Sequence, residues 1–176
     1  MLMIILIKPS EEYISEIENY RDEHIKNNGK TPIIGASGLE KFENIEEWIK
    51  KIRSYEHFDT VPEGRLPATT LLTIRKKDKK MVGIVNIRHS LDTEYLFNFG
   101  GHIGYSVRGS ERGKGYGKEQ LKLTLDICKE MGIAKVLITC NDENVPSAKA
   151  IEANGGILEK ISFVENEMTR RYWINL

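Results

Sequence analysis

The chain has 176 residues, of which 40% are hydrophobic and 30% charged, and 26 basic residues balance 26 acidic residues to a formal net charge of zero. This length and composition indicate one soluble globular domain, and the neutral charge argues against a nucleic-acid-binding protein that relies on a large basic surface. The apolar residues 1–7 are too few to cross a membrane and lack a basic leader and a cleavage site. We therefore expect no membrane partner.

The N-terminal third is predicted to contain one strand and two helices. Residues 2–7 have the composition of a buried strand, and apolar side chains recur at helical spacing over residues 11–27. Residues 30–43 look irregular. Asn44 with Glu47 resembles a capping box and is predicted to begin the second helix. The apolar stripe of that helix contains Ile45, Trp48, Ile49, Ile52 and Tyr55.

The middle of the chain predicts a hairpin, a strand and a helix. Residues 69–75 and 81–89 are rich in β-forming side chains and flank a lysine-rich turn, so they predict an antiparallel hairpin. Residues 91–99 are ambiguous. We predict a strand over residues 101–107 and an amphipathic helix over residues 118–131.

The C-terminal part predicts three more strands around one helix. Residues 134–140 are uniformly apolar, which is typical of a strand covered on both faces. A helix over residues 146–154 precedes two strands near 156–164 and 168–175. From the pattern alone we expect an α/β fold with a mixed sheet.

The two cysteines, Cys128 and Cys140, fit neither a disulfide framework nor a metal-binding pattern. Both fall at apolar positions of a predicted helix and strand. We expect them to be reduced and structural, as in a cytoplasmic protein, and we expect no metal site.

The most specific signal is the glycine-rich segment Arg112-Gly113-Lys114-Gly115-Tyr116-Gly117 at a predicted strand-to-helix turn. Glycines allow a ligand to approach the backbone closely, and the free N–H groups of a helix N-terminus favour a phosphate. A glycine-rich surface turn is the alternative. The spacing fits neither a Walker A loop nor the dinucleotide fingerprint, which disfavours a nucleotide-binding protein.

The pattern Arg112-x-x-Gly115-x-Gly117 resembles the R/Q-x-x-G-x-G/A motif of the Gcn5-related N-acetyltransferase (GNAT) superfamily. Asn144 and Ser147 match the Asn-x-x-Ser/Ala segment that follows a strand in this superfamily. A bacterial branch of predicted acetyltransferases is the most similar. Its marks in this chain are Arg88-His89, Gly100-Gly101-His102-Ile103-Gly104-Tyr105, Asn154-Gly155-Gly156 and Arg171-Tyr172-Trp173-Ile174.

The resemblance implies a single-domain α/β fold of the GNAT kind, with a mixed, mostly antiparallel sheet flanked by helices. It covers residues 68–176 well, which would form the acetyl-coenzyme A-binding core. Residues 1–67 would form the helical, acceptor-side part. Acetyl-coenzyme A is then the implied co-substrate.

The resemblance also implies the cofactor-binding residues. Backbone N–H groups of Arg112, Gly113, Lys114, Gly115, Tyr116 and Gly117 would hold the pyrophosphate. The backbones of Tyr105, Ser106 and Val107 would pair with the pantetheine arm. Asn144 would contact the same arm, with a turn residue at the start of a helix as the alternative.

The catalytic groups are less clear from the resemblance. Many relatives carry a glutamate base about eleven positions before the loop arginine, where this chain has Gly101. His102, His89 and Glu94 are the candidate bases in its place, and for each histidine a structural role is the alternative.

A general acid is also missing from its usual place. Relatives often have a tyrosine seven residues after the asparagine, where this chain has Ile151. Ser147 is the candidate substitute, and a helix-start residue is the alternative reading of Ser147.

The sequence therefore predicts an N-acetyltransferase that transfers an acetyl group directly from acetyl-coenzyme A to a small amine or a peptide amine. A catalytically silent acyl-coenzyme A-binding or sensing module is the alternative, because both usual catalytic residues are absent. A second copy of the chain, in a homodimer, stays open as a partner.

Overall fold

The first sheet contains four antiparallel strands. A computed structural model of the protein describes residues 3–164 and 166–176. The strands lie in chain order: β1 (Ile4–Ile7), β2 (Ala68–Arg75), β3 (Met81–Arg88) and β4 (Ile103–Val107). The pairing of β2 with β3 confirms the predicted hairpin. Strand β4 is an edge strand of this sheet.

The second sheet contains three antiparallel strands in the order β5-β7-β6. They are β5 (Lys135–Asn141), β6 (Ile157–Val164) and β7 (Glu167–Asn175). Val136, Leu137 and Ile138 are at most 1% exposed, so β5 is covered on both faces as its apolar run predicted. Strand β5 is an edge strand of its sheet, and its edge faces the edge of β4.

Four helices flank the sheets. They are α1 (Ile14–Asn28), α2 (Ile45–Ser54), α3 (Tyr116–Glu130) and α4 (Val145–Glu152). The Asn44 side chain accepts the N–H groups of Glu46 and Glu47 and caps α2, which confirms the predicted helix start. The ambiguous residues 91–99 include a short helical turn that ends in a π-helical turn, Leu96–Gly100.

The helices cover opposite faces of the sheets and divide the core in two. Helices α1 and α2 pack on one face, where Ile17 and Trp48 lie against Leu72 and Ile84. Helices α3 and α4 pack on the other face, against the remaining strand positions. Each fully buried aliphatic side chain stabilises the fold by about 1.5–3 kcal/mol. The alternation of side chains along β2 and β3 supplies both cores, because successive residues point to opposite faces.

The two sheets meet at a junction formed by His102 and Leu137. The His102 N–H donates to the Leu137 carbonyl at 2.8 Å, and the Leu137 N–H donates to Nδ1 of His102 at 2.9 Å. Beyond this junction β4 and β5 belong to separate sheets. A cleft between two strand edges therefore begins at His102 and continues toward the glycine-rich segment.

Candidate active site

Strand β4 presents unpaired backbone groups to this cleft. The backbone N–H of Arg108 donates to the Val82 carbonyl and the backbone N–H of Arg88 donates to the His102 carbonyl, both at 2.8 Å. Because backbone groups alternate between the two edges of an antiparallel strand, the even-numbered residues of β4 face β3. The odd-numbered residues, which face the cleft, are Ile103, Tyr105 and Val107. Of the three backbones expected to bind pantetheine, that of Tyr105 and the N–H of Val107 are thus available to a ligand. The Val107 carbonyl already accepts a hydrogen bond from Nε of Arg112.

Ser106 differs from that expectation because its backbone faces β3, opposite Ile84. Its Oγ atom lies 2.9 Å from the hydroxyl of Tyr20 and donates to the Ile34 carbonyl at 2.9 Å. The Ser106 side chain therefore joins β4 to α1 and to the α1–α2 loop.

The α1–α2 loop lies directly on β4. A Cβ atom added to Gly35 would be 2.3 Å from the Gly104 carbonyl oxygen, so only glycine permits this approach. The Trp48 indole N–H donates to the Ala36 carbonyl at 2.8 Å and holds the loop in place. The loop forms a wall beside the cleft. The irregular sequence of residues 30–43 gave no sign of this contact apart from its glycines.

The N-terminus of α3 has the features of an anion site. Gly115 occupies the cap position with φ 85°, and no side chain caps the helix. In contrast, asparagine side chains cap α2 and α4. The N–H groups of Tyr116, Gly117 and Lys118 begin the helix and have no intrahelical acceptor. Together with the positive end of the helix dipole, they fit a pyrophosphate at the end of the cleft.

Glu111 links the glycine-rich segment to the first sheet, and the sequence analysis did not predict this role. It is 4% exposed and binds Arg75 at 2.9 Å, Lys80 at 2.8 Å and Lys114 at 2.9 Å. Hydrogen bonds from Lys80 and Lys114 lower the pKa of Glu111 to about 2. The Tyr116 hydroxyl accepts from Arg75 at 3.1 Å. The sequence signal that could have indicated this network is the lysine-rich turn, because its clustered positive charges favour a nearby carboxylate.

The side chains of Lys114 and Tyr116 thus belong to the Glu111 network, and only their backbones remain for a phosphate. Arg112 is exposed, and its Nε donates to the Val107 carbonyl at 3.3 Å. It also lines a cavity of about 100 Å³ between α1 and the end of β4. Its position beside the cleft end agrees with the expected binding of a phosphorylated ligand.

Tyr105 and Ser147 meet across the cleft. Their hydroxyl oxygens are 3.0 Å apart, and burial raises the pKa of the Tyr105 phenol. Asn144 caps α4 by accepting the Ser147 N–H at 3.2 Å, so its side-chain oxygen already serves the helix. Ile151 is fully buried in the core. The Tyr105 hydroxyl was missed as a candidate because its strand position indicated only backbone contacts.

His102 is engaged through its side chain at the sheet junction. Because Nδ1 accepts the Leu137 N–H, the neutral ring carries its proton on Nε2 and has no free lone pair. Burial and then the Arg88 charge lower the pKa of His102 to about 4. The ring can take a proton only by breaking its bond to Leu137. The geometry therefore favours the structural alternative for His102 over the expected base.

The other two candidate bases lie apart from the hydroxyl pair. Nε2 of His89 is 2.8 Å from Oγ1 of Thr69, and burial lowers the pKa of His89. Glu94 is exposed on the helical turn before the junction. Among the described residues, neither side chain hydrogen-bonds to Tyr105 or Ser147. The structure thus leaves the backbones of Tyr105 and of the glycine-rich segment free, but it turns that of Ser106 toward β3 and uses the Asn144 oxygen in a helix cap. It brings none of the three predicted bases to the hydroxyl pair.

Substitutions of His102 separate a junction residue from a base. An asparagine oxygen can accept the Leu137 N–H, whereas alanine leaves this buried N–H unpaired. We expect His102→Ala to lose about 1–3 kcal/mol of unfolding free energy and His102→Asn to lose less. Turnover of His102→Asn should stay within about tenfold of the unmodified protein, whereas loss of a base costs about 10²–10⁴-fold. Denaturant unfolding measures the stability, and thiol release from acetyl-coenzyme A measures the turnover. A His102→Asn variant that is a hundredfold slower would indicate that His102 is the base.

The described residues contain neither a metal-binding cluster nor a membrane-spanning helix. Within residues 3–164 and 166–176, no group of three or more His, Cys, Asp or Glu side chains is placed to hold a metal ion. In the same part of the chain, no helix is long and apolar enough to cross a membrane.

Comparison with known proteins identifies the family. The sequence profile described as "Acetyltransferase (GNAT) domain" matches residues 39–157. The chain belongs to the GNAT acetyltransferase family. It is 33% identical over 138 residues to the glucosamine 6-phosphate N-acetyltransferase of Arabidopsis thaliana, an alignment that covers 73% of this chain and 79% of the relative.

Solved GNAT structures share its fold. Microcin C7 self-immunity acetyltransferase MccE, solved with acetyl-coenzyme A and AMP, has a TM-score of 0.67 and 20% identity over 98% of this chain and 92% of its own. The ribosomal-protein-S5-alanine acetyltransferase of Vibrio fischeri has a TM-score of 0.68 and 20% identity over 98% and 91%. These neighbours confirm the expected fold, and the bacterial source of the second agrees with the bacterial branch.

Family membership decides the class of activity. This GNAT protein is an acyltransferase, and acetyl-coenzyme A is its co-substrate. The residues fit that group, because the free edge of β4 and the uncapped α3 N-terminus lie along one cleft.

Proposed function

We propose that this GNAT protein transfers the acetyl group directly to the nitrogen of a small primary amine. The observation that carries the proposal is the free edge of β4, which leads along the chain to the uncapped, glycine-lined N-terminus of α3. In this proposal residues 68–176 bind acetyl-coenzyme A, and residues 1–67 form the acceptor side of one domain. A covalent enzyme intermediate is disfavoured, because burial raises the pKa of Cys140 and raises that of Cys128 to about 12.

Each part of the cleft has a task in this reaction. Acetyl-coenzyme A supplies the acetyl group as a thioester. Of the expected N–H groups of residues 112–117, that of Arg112 donates to the Gly109 carbonyl at 3.4 Å, so those of residues 113–117 hold the pyrophosphate. The outward backbone of Tyr105 and the N–H of Val107 pair with the pantetheine arm. An outward N–H of β4 stabilises the oxyanion, since a preorganised donor needs no reorientation as charge develops.

The proton of the attacking amine leaves through water. His102 lacks a free lone pair, so we keep Glu94 and His89 as residues that accept this proton through a water relay. The leaving thiolate has a solution pKa near ~8.5 and departs at neutral pH without a strong acid. Ser147, bonded to the Tyr105 hydroxyl, only assists.

Ser147→Ala tests this minor role. The substitution removes one hydroxyl from the pair and leaves the Asn144 cap bond to the backbone N–H intact. We expect turnover to fall by no more than about tenfold, on the order of 1.4 kcal/mol, with unchanged cofactor affinity. Tyr105→Phe is the matched partner variant. A thousandfold loss in Ser147→Ala, measured by thiol release, would make Ser147 the general acid.

The acceptor is sought with a panel of amines. The Arabidopsis relative is named for glucosamine 6-phosphate, and a structural neighbour is named for a ribosomal protein. The panel therefore contains amino sugar phosphates, polyamines and peptides with free N-termini. Thiol release with any of them supports the transferase. Cofactor binding without turnover across the panel would favour the silent binding module.

We place the enzyme in the cytoplasm, where both buried cysteines are reduced.

A homodimer is a further possibility that can be measured. Strand β6 is an exposed edge strand that carries Ile157 and Phe163, which are 67% and 69% exposed. Such an edge can pair with a second chain. Sedimentation of the purified protein decides its oligomeric state.

A further inference from the structure

Arg88 is a half-buried cation without a carboxylate partner among the described residues. Its Nη1 donates to the carbonyls of Gly100 and Gly101 at 2.7 and 3.0 Å. Burial lowers the pKa of its guanidinium. Among the described residues, no acidic side chain forms an ion pair with it. A cation taken out of water without a counter-charge costs free energy, which an anionic ligand can offset.

Arg88 faces the acceptor side of the sheet. Residues 84, 86 and 88 of β3 point to one face, and Ile84 lies in the core beneath α1 and α2. The Nη2 atom is 3.6 Å from the position that a Cβ of Gly104 would occupy. The guanidinium therefore lies beside β4 just after the junction, where the cleft begins.

A row of polar side chains continues from Arg88 across the same face. Asn86 donates to Oγ1 of Thr70 at 3.1 Å, and Oγ of Ser37 is 3.4 Å from the same atom. At the far end of the row, Nζ of Lys51 donates to the Ser37 carbonyl at 2.7 Å. This polar row, from Arg88 to Lys51, has a cation at each end.

The charges around Lys51 add to this positive character. Burial lowers the pKa of Lys51, and the nearby charges of Lys41 and Arg65 lower it further, against the opposing effect of Glu40. Lys51 is thus influenced by two other cations as well as by the Glu40 carboxylate. An anionic acceptor would be attracted from this side, because complementary charge steers a ligand toward its site.

We propose that Arg88 binds an anionic group of the acceptor, so that the acceptor is an amine that also carries a phosphate or a carboxylate. The inference rests on the proposed transfer to a small amine and specifies its substrate class. A guanidinium has planar paired donors that match either oxyanion. Nη1 serves the two glycine carbonyls, and Nε and Nη2 are the donors left for the acceptor.

The first test compares acceptors that differ in one group. Glucosamine 6-phosphate, 2-amino-2-deoxyglucuronic acid and glucosamine share the sugar ring and its amine, and they carry at C6 a phosphate, a carboxylate or no anion. We expect kcat/KM for at least one anionic acceptor to exceed that for glucosamine by about tenfold or more, on the order of 1.4 kcal/mol. The two anionic arms decide between phosphate and carboxylate. Equal use of all three would overturn the inference.

The second test assigns the preference to Arg88. Arg88→Gln should lower kcat/KM for the preferred anionic acceptor at least about tenfold more than it lowers kcat/KM for glucosamine. Arg88→Lys keeps the charge and should keep part of the preference. Arg53→Gln, which removes an exposed arginine paired with Glu11, is the matched control and should behave as the unmodified protein. An equal loss for anionic and neutral acceptors would show that Arg88 only supports the sheet junction.

A binding measurement separates this inference from the proposed function. Titration of the coenzyme A-loaded protein with glucosamine 6-phosphate and 2-amino-2-deoxyglucuronic acid needs no turnover. Binding that weakens in Arg88→Gln but not in Arg53→Gln would support the anion subsite even if no acceptor is acetylated. Absence of binding of both anions to the unmodified protein, or unchanged binding in Arg88→Gln, would overturn it.

Discussion

Gly115→Val is expected to abolish binding of acetyl-coenzyme A at working concentrations. Gly115 has φ 85° and caps α3 without a side chain, so valine adds backbone strain and a branched side chain where the pyrophosphate approaches the N–H groups. We expect the affinity to fall by about 100-fold or more, on the order of 2.7 kcal/mol. Isothermal titration calorimetry with acetyl-coenzyme A measures this loss.

Gly132→Val is the matched control for that experiment. Gly132 also has a positive φ, 79°, and nothing within 4 Å of its added Cβ. It lies just beyond the opposite end of the same helix. Valine there adds comparable backbone strain without touching the cleft, so cofactor affinity should be unchanged. Normal binding by Gly115→Val would show that the glycine-rich segment is only a surface turn.

Glu111→Gln is expected to cause the largest loss of stability. Glutamine cannot neutralise the three cations that the buried carboxylate binds. Breaking a buried ionic network by removing one partner costs about 3 kcal/mol or more, which corresponds to a melting temperature lower by about 10 °C for a domain of this size. Thermal and denaturant unfolding measure the loss. Asp78→Asn is the control, because Asp78 binds the same Arg75 with a side chain that is 41% exposed; we expect it to lose less.

The pH dependence of stability gives a second readout for Glu111. Its pKa is lowered from 4.5 to about 2 in the folded protein, so the unfolded chain binds the proton more readily. The stabilisation is therefore fully present above the unfolded pKa and is lost progressively as the pH falls from 4.5 toward 2. The difference in unfolding free energy between the unmodified protein and Glu111→Gln should shrink between pH 5 and pH 3. A constant difference would show that Glu111 stabilises the fold by packing alone.

The Glu111 network and the glycine-rich segment depend on each other. Glu111 binds Lys114, which lies between Gly113 and Gly115. The same carboxylate binds Arg75 at the lysine-rich turn of the β2–β3 hairpin. The backbone that we propose to hold the pyrophosphate is therefore fixed to the first sheet through one buried charge. A preorganised loop of this kind binds with a smaller loss of conformational entropy.

Local sequence signals were enough to predict the helices and strands and to propose the glycine-rich segment as the cofactor loop. The alternation and length of the apolar runs predicted the β2–β3 hairpin and β5, because each signal reports a nearest-neighbour preference that survives folding. The glycines of the Arg112-x-x-Gly115-x-Gly117 motif, at a predicted helix start, predicted an anion site. Glycine permits a positive φ, and the first turn of any helix has free N–H groups. The family followed from the same residues.

Only the tertiary structure decided which groups are free to act. The tautomer of His102 depends on Leu137, which is 35 residues away in the chain. Ser106 turns its backbone away from the cleft because β4 pairs with β3 in a register that no short motif specifies. The free donors of Arg88 and the counter-charge on Glu111 also result from contacts between distant segments. Sequence patterns report the type of each residue, whereas protonation, burial and pairing depend on what the fold places beside it.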